Sequence, residues 1–310
     1  MDIVYTGEQD SRAYKSVIGE TVDEIIQSDE KTCWLDADLS NCSGTGGNYS
    51  KSDRYINCGI AEGNMAGIAA GLSASGMKPY MHSFAPFASR RCFDQVFLSA
   101  GYAKNPITVV ATDPGITAAF NGGTHMPFED VALYREIPDS IICDCTDVPM
   151  LQYFLKNAKD MPGVKYIRVG RKASYQVYAD DSEFQVGRGN VLRDGDDVVI
   201  IASGIMVHEA LQAANKLDMS VAVIDPFTIK PLDVDLIREY AKKCGHVVVA
   251  ENHNRIGGLT SAVSEAIVGI PCKFGYVAIE DEYGEVGPLD YLRERYDLTD
   301  EHIVKVCESL

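Results

Sequence analysis

Apolar residues at helical spacing alternate with short, wholly apolar runs along most of the chain, and that alternation admits few folds. Ser11 to Ser28 places Ala13, Val17, Ile18, Val22, Ile25 and Ile26 on one helical face. Cys33 to Ala37 is a short apolar run of strand type. The spacing predicts further helices over Glu62 to Ser75, Ser89 to Lys104 and Val148 to Ala158. Strands are predicted over Pro79 to Phe84, Ile107 to Thr112, Ile141 to Cys145 and Tyr166 to Val169. Such alternation implies a parallel sheet covered by helices on both faces. Asp180 to Gly189 is polar, carries two glycines and marks a boundary. Alternation then resumes, with strands at Val198 to Ser203, Val221 to Asp225 and Val247 to Glu251. Helices at Met206 to Lys216 and Asp233 to Cys244 lie between them. A chain of 310 residues fits two such units. The expected architecture is α/β, two doubly wound, mostly parallel-sheet domains over residues 1–180 and 187–310.

The net charge of -17 argues against a nucleic-acid or anionic-membrane surface over most of the chain. No apolar run approaches the roughly 20 residues of a membrane span. Met1 to Asp10 has acids where a signal peptide carries lysines, and the expected location is cytoplasmic. Nine cysteines without a C-x-x-C pair indicate neither zinc nor a redox dithiol, and mostly buried, reduced thiols are expected.

Ligands of open parallel sheets gather at the carboxyl ends of strands. Gly44-Thr-Gly46-Gly47 lacks a third glycine and a following helix, so it reads as a mobile loop and not a dinucleotide site. Asp194-Gly195-Asp196 reads as a turn entering a strand. Glu62 is a lone acid among Gly63, Ala66, Gly67, Ala70 and Gly71. A carboxylate in such surroundings must be paired or protonated, unless it is simply a helix N-terminal acid favoured by the dipole. The small residues permit close approach of another helix, which makes this segment a candidate for packing near a two-fold axis. Phe84 and Phe87 leave the end of a strand, where two aromatics three apart serve either a ring ligand or the core. His125 sits in the glycine-rich loop from Pro114 to Pro127, where a lone histidine is most simply a solvated residue. Asp38 follows a strand, a common place for a cap or turn.

The segments Gly59-Ile-Ala-Glu62, Phe84 to Phe87, Gly122-Gly-Thr-His125 and Ala37-Asp38-Leu39 together resemble the transketolase family, over nearly the whole chain and most densely from Arg54 to Pro138. The chain looks like the C-terminal half of a transketolase: a pyrimidine-binding domain followed by a transketolase-type C-terminal domain. The resemblance implies thiamine diphosphate as cofactor, with Glu62 contacting N1' of its aminopyrimidine and Phe84 and Phe87 stacking on that ring. It implies that Asp38 and Leu39 lie near the thiazolium. Glu62 and His125 become the expected catalytic residues, and His125 contacts the sugar donor. Arg12 and Arg171 match positions that bind substrate phosphate, and the guanidinium fork suits that ligand. Arg90 and Asn121 complete the expected substrate contacts and depart from the family. Arg90 stands where many transketolases have tyrosine, Asn121 where aspartate is usual, and Thr112 where many have histidine. The family's G-D-G for Mg²⁺ does not occur. The resemblance therefore implies an N-terminal partner subunit that carries the Mg²⁺ ligands, within an α2β2 assembly acting on phosphorylated sugars. No metal ligands are expected on this chain. Glu251 to Gly258 resembles the family's C-terminal domain, and His253 is expected to be structural or interfacial. Three further readings stay open: a deoxyxylulose phosphate synthase-like subunit, a 2-oxoacid dehydrogenase β-like subunit, and a non-catalytic α/β interaction protein.

Overall fold

The computed structural model describes residues 2–310; Met1 lies outside the described residues. Among the described residues twelve strands form two sheets: β1 Thr32–Asp36, β2 Tyr55–Asn57, β3 Lys78–Phe84, β4 Ile107–Thr112, β5 Ile141–Asp144, β6 Val164–Val169, β7 Asn190–Arg193, β8 Val198–Ala202, β9 Val221–Asp225, β10 Thr228–Lys230, β11 His246–Asn254 and β12 Lys273–Ile279. The first sheet has the order β10-β5-β6-β4-β3-β1-β2 and the second β12-β11-β8-β9-β7. Neighbouring strands are parallel except for β10 with β5 and β7 with β9. The expected α/β, mostly parallel architecture is what the chain adopts.

The central strands read as continuous apolar runs because helices cover both faces. β4 is buried at all six positions. On one side, helix Tyr14–Ser28 turns Val17, Ile18, Val22, Ile25 and Ile26 inward and packs on helix Val148–Ala158. The latter starts at Asp147, whose side chain accepts from the Met150 amide, with Pro149 in the first turn.

Several expectations are corrected. The first helix begins at Tyr14, not Ser11. The preceding residues are extended and bridge the segment after β6, pairing Ile3 with Tyr178 and Gln9 with Tyr175. The single helix expected over Ser89 to Lys104 is broken. A turn at Ala85–Ala88 ends where the Ser89 hydroxyl donates to the Ala85 carbonyl and its backbone leaves helical geometry. Phe93–Gln95 and a π-helical turn at Val96–Tyr102 follow. The Gly44 stretch is packed, not free. Gly44, at φ 77°, lies against Gly19 so closely that a Cβ on either would strike the other segment's backbone. Asn48 Nδ2 donates to the Gly19 carbonyl at 3.0 Å. Asp194 to Asp196 does form the turn into β8.

Strand β10 comes from the second block of sequence yet closes the edge of the first sheet. The two units also share a buried ionic joint. Arg168, 1% exposed, donates to Asp130 at 2.7 and 3.2 Å, to Asp144 at 3.0 Å and to the Asn252 carbonyl at 2.8 Å. Ser203 of the second unit donates to Asp144 at 2.9 Å. Of the nine cysteines, six are buried, among them Cys143 and Cys145, whose sulfurs lie 3.8 Å apart. Among the described residues no helix is long and apolar enough to cross a membrane.

Candidate active site

The carboxyl ends of β1, β3, β4 and β6 converge, and the loops leaving them carry most of the residues singled out in the sequence. Glu62, the first residue of helix Glu62–Ala74, is 2% exposed. It is not isolated. Arg91 Nη1 donates to both carboxylate oxygens, at 2.9 and 3.1 Å, and Ser83 Oγ donates at 3.3 Å. The same guanidinium lies over the Phe87 ring, 3.8 Å from its centroid.

Phe84 ends β3 and Phe87 occupies the turn behind it, with ring centroids 6.4 Å apart. His125 closes the group, edge-on to Phe84 at 5.8 Å and to Phe87 at 5.0 Å. Its Nδ1 lies 3.0 Å from Thr124 Oγ1. Burial first, then the Arg91, Arg171 and Arg90 guanidiniums, hold the imidazole pKa below its ordinary value, so it is neutral at pH 7. Glu62, Phe84, Phe87 and His125 thus form one carboxylate–aromatic–imidazole cluster.

The other expected residues surround it unevenly. Arg171, just past β6, pairs with Asp113 and lies 5.0 Å from the Phe84 ring centroid. Burial pushes the Asp113 carboxyl up to about 6 against the opposing pull of Arg171. Arg90 donates to the Thr124 carbonyl at 3.2 Å and pairs with Glu129 at 3.1 Å. Asn121 is exposed at the end of a 3₁₀ turn, Gly115–Asn121. Arg12 is committed to two carboxylates, Asp10 at 2.6 Å and Asp180 at 2.7 Å. Asp38 adopts φ 62° and accepts from Asn57 Nδ2 at 3.0 Å. The Leu39 amide donates to Asp36.

Two features escaped the sequence reading. Arg91 is the first. Nothing in the local spacing marks its pairing with Glu62, 29 positions away, because the helix breaks at Ser89 between Phe87 and Arg91. The second is a buried polar relay across the strand ends. His82, fully buried and stacked on Trp34, bonds Asp36 Oδ2 at 2.8 Å and Thr112 Oγ1 at 3.1 Å. Asp36 in turn fixes the turn that presents Asp38 and Leu39. His253 is buried, with Nδ1 2.6 Å from the Asn254 carbonyl, and burial pulls its pKa down to about 4.

A cavity of about 480 Å³ opens between the two units. Asp113, Asn121, Arg171 and Lys172 line one side, and His208 and Arg293 the other. Glu62, Phe84, Phe87 and His125 are not in its lining. Among the described residues no group of three or more His, Cys, Asp or Glu is arranged to hold a metal ion.

Residues 10–176 match the family model for the transketolase pyrimidine-binding domain, and residues 187–303 that for the transketolase C-terminal domain. The chain is similar to a 6-deoxy-6-sulfo-D-fructose transketolase subunit of Clostridium sp. (strain MSTE9), at 41% identity over 93% of this chain and 91% of that one. It is 33% identical to human transketolase over 84% of its own residues, and it spans 43% of that protein's length. Among solved structures it matches a split-gene transketolase described as an inactive β4 tetramer, with a TM-score of 0.87 and 35% identity over 97% of this chain and 98% of that one.

Proposed function

The chain belongs to the transketolase family of thiamine-diphosphate-dependent transferases, and on that premise we propose that it needs an N-terminal partner subunit to transfer a two-carbon ketol unit between phosphorylated sugars. The buried Glu62 carboxylate beside the Phe84, Phe87 and His125 rings carries this reading. A carboxylate next to aromatic faces fits a planar aminopyrimidine, which needs a hydrogen-bond partner at its ring edge and a stacking surface. The interdomain cavity has carboxylates and rings of its own, among them Asp113, Glu209, Phe120 and Tyr175; the cofactor is assigned to the cluster because Glu62, Phe84 and Phe87 stand in the segments that resemble the family's pyrimidine contacts. The likeness to 43% of human transketolase supports a second chain that supplies the rest, including the Mg²⁺ ligands. The solved β4 relative, described as inactive, supports the same reading. The working assembly is then α2β2, with helix Glu62–Ala74 near its two-fold axis, and its place is the cytoplasm. The domains are assigned as 1–180 and 187–310. The synthase-like, dehydrogenase-like and non-catalytic readings are not favoured, because the relatives above are transketolases or their subunits.

When bound, thiamine diphosphate supplies a carbon nucleophile for the ketose carbonyl. Glu62 holds and exchanges the proton at the pyrimidine N1'. Phe84 and Phe87 fix the ring by offset stacking, about 1 kcal/mol beyond area burial. Asp38 and Leu39 shape the wall beside the thiazolium, in a turn that the Asp36–His82 pair holds. His125, neutral at pH 7, donates to a sugar hydroxyl or to the developing oxyanion. Arg171 takes the substrate phosphate, with Asn121 and Arg90 at the rim. Arg12 joins them only by releasing Asp10 and Asp180.

The experiment is Glu62→Gln in the assembled complex. Gln keeps the side-chain volume, so the complex and its cofactor content should persist. Deuterium exchange at thiazolium C2, quenched and read by proton NMR, should slow by about 10² to 10⁴. Exchange at the wild-type rate would leave Glu62 a structural acid and remove the mechanism.

A further inference from the structure

Arg91 makes both of the contacts assigned above to the pyrimidine. Its guanidinium is flat, lies 3.8 Å from the Phe87 centroid, and donates to both oxygens of Glu62 at 2.9 and 3.1 Å. An aminopyrimidine is likewise flat, uses a ring face for stacking and a nitrogen edge for the carboxylate. Two flat groups cannot stack on the same ring face at once, and the two would compete for the acceptor sites of one carboxylate. We propose that Arg91 is the built-in occupant of the pyrimidine seat: it keeps Glu62 paired while the seat is empty, and the aminopyrimidine must displace it to bind. The inference rests on the reading of Glu62 and Phe87 as pyrimidine contacts.

The physical case comes from the cost of the alternative. Glu62 is almost fully buried, and its other polar neighbour, Ser83, donates only at 3.3 Å. A buried carboxylate without a charged donor is strongly disfavoured. Arg91 relieves that cost, while its own side chain is 45% exposed and so has solvent to swing into. It enters from an irregular stretch that leaves its side chain free of a helix face: Ser89 breaks the helix just before Arg91, and Cys92 lies in non-helical geometry just after. The pair is thus a competitor at the site, and its strength subtracts from cofactor affinity.

The probe is the neutral fragment 4-amino-5-hydroxymethyl-2-methylpyrimidine, titrated at pH 8 into the full-length chain and followed by ligand-observed NMR. Fragment neutrality matters, because salt then acts on the Arg91–Glu62 pair and not on the ligand. Arg91→Ala should bind the fragment at least tenfold more tightly than wild type, the scale of one charge-assisted hydrogen bond. Arg91→Lys, which keeps the charge but neither fork nor plane, should fall between. Raising NaCl should tighten binding to wild type and leave Arg91→Ala unmoved, a response that a merely structural arginine would not give. Unchanged or weaker binding to both variants, or no detectable binding to any of the three proteins, would overturn the proposal. Glu62→Ala and Phe87→Ala separate the two layers. If they leave fragment binding unchanged, the pyrimidine-site reading itself fails. If they abolish binding while Arg91→Ala fails to strengthen it, only the role of Arg91 fails.

Discussion

Arg168, inside β6, and Arg171, just past it, stand three positions apart and serve different partners. Arg168 turns into the joint between the units, whereas Arg171 faces the cavity and the Phe84 ring. Arg168 is fixed within β6, whereas Arg171 lies beyond the strand's end at Val169, so the end of the strand separates two residues that sequence spacing alone groups together. Arg171→Ala should raise KM for phosphorylated sugars by the equivalent of about 1.5–3 kcal/mol, the value of a lost charged hydrogen bond. Turnover of an unphosphorylated donor should change little. Steady-state kinetics with both donor types is the check, and an equal loss with both would remove the phosphate from Arg171. At this scale the sequence was informative about Glu62, Phe84, Phe87 and His125, which the fold does bring together. Those residues sit in short motifs of unusual composition. Arg91 was not legible, because its partner Glu62 lies 29 positions away and only the tertiary fold joins them.

Two uniformly buried strands, β4 at Ile107–Thr112 and β9 at Val221–Asp225, and the amphipathic helix Met206–Lys216 were read to the residue, whereas β6 was read two residues short at its start. A buried strand is apolar throughout and an amphipathic helix repeats its stripe, so both announce themselves. Strands β2, β7, β10 and β12 were missed. β2 and β10 have three residues each, β7 is half-exposed at all four positions, and β12 is largely half-exposed along Lys273–Ile279, so none makes a clear run. The glycine-rich loop was read as a loop, yet it is held at both ends. Asn252 accepts from the Ile116 amide and donates to the Pro114 carbonyl, each at 3.0 Å. Farther along, a Cβ on Gly123 would run into the Gly284 carbonyl. Gly123→Ala should therefore cost about 1–3 kcal/mol, as overpacking does, and displace the turn that carries His125. Denaturant unfolding measures the first effect. An unchanged midpoint would mean that the Gly284 segment yields freely.

Between the units, the Arg168 joint is worth more as a constraint than as a source of stability. Removing its cation leaves Asp130 and Asp144 buried with only the neutral donors Tyr166 and Ser203. Arg168→Met should cost about 3–5 kcal/mol in chemical denaturation. Adding Asp130→Asn and Asp144→Asn should recover part of that loss, since the three residues share one network. A loss below about 1 kcal/mol for the single variant would show that the joint bears little. The crossing of β10 into the first sheet binds the units in a second way, and it bears on synthesis. Domains emerging from the ribosome generally fold in order, each as its sequence is completed. Here the first sheet cannot finish on that schedule. Its β5 edge stays open until residues 228–230 have been translated, long after the rest of the sheet is available. An open edge is a template for strangers. The nascent chain must therefore carry an exposed, adhesive border through roughly the span from β6 to β10, and slow translation across that span is when a chaperone has most to guard.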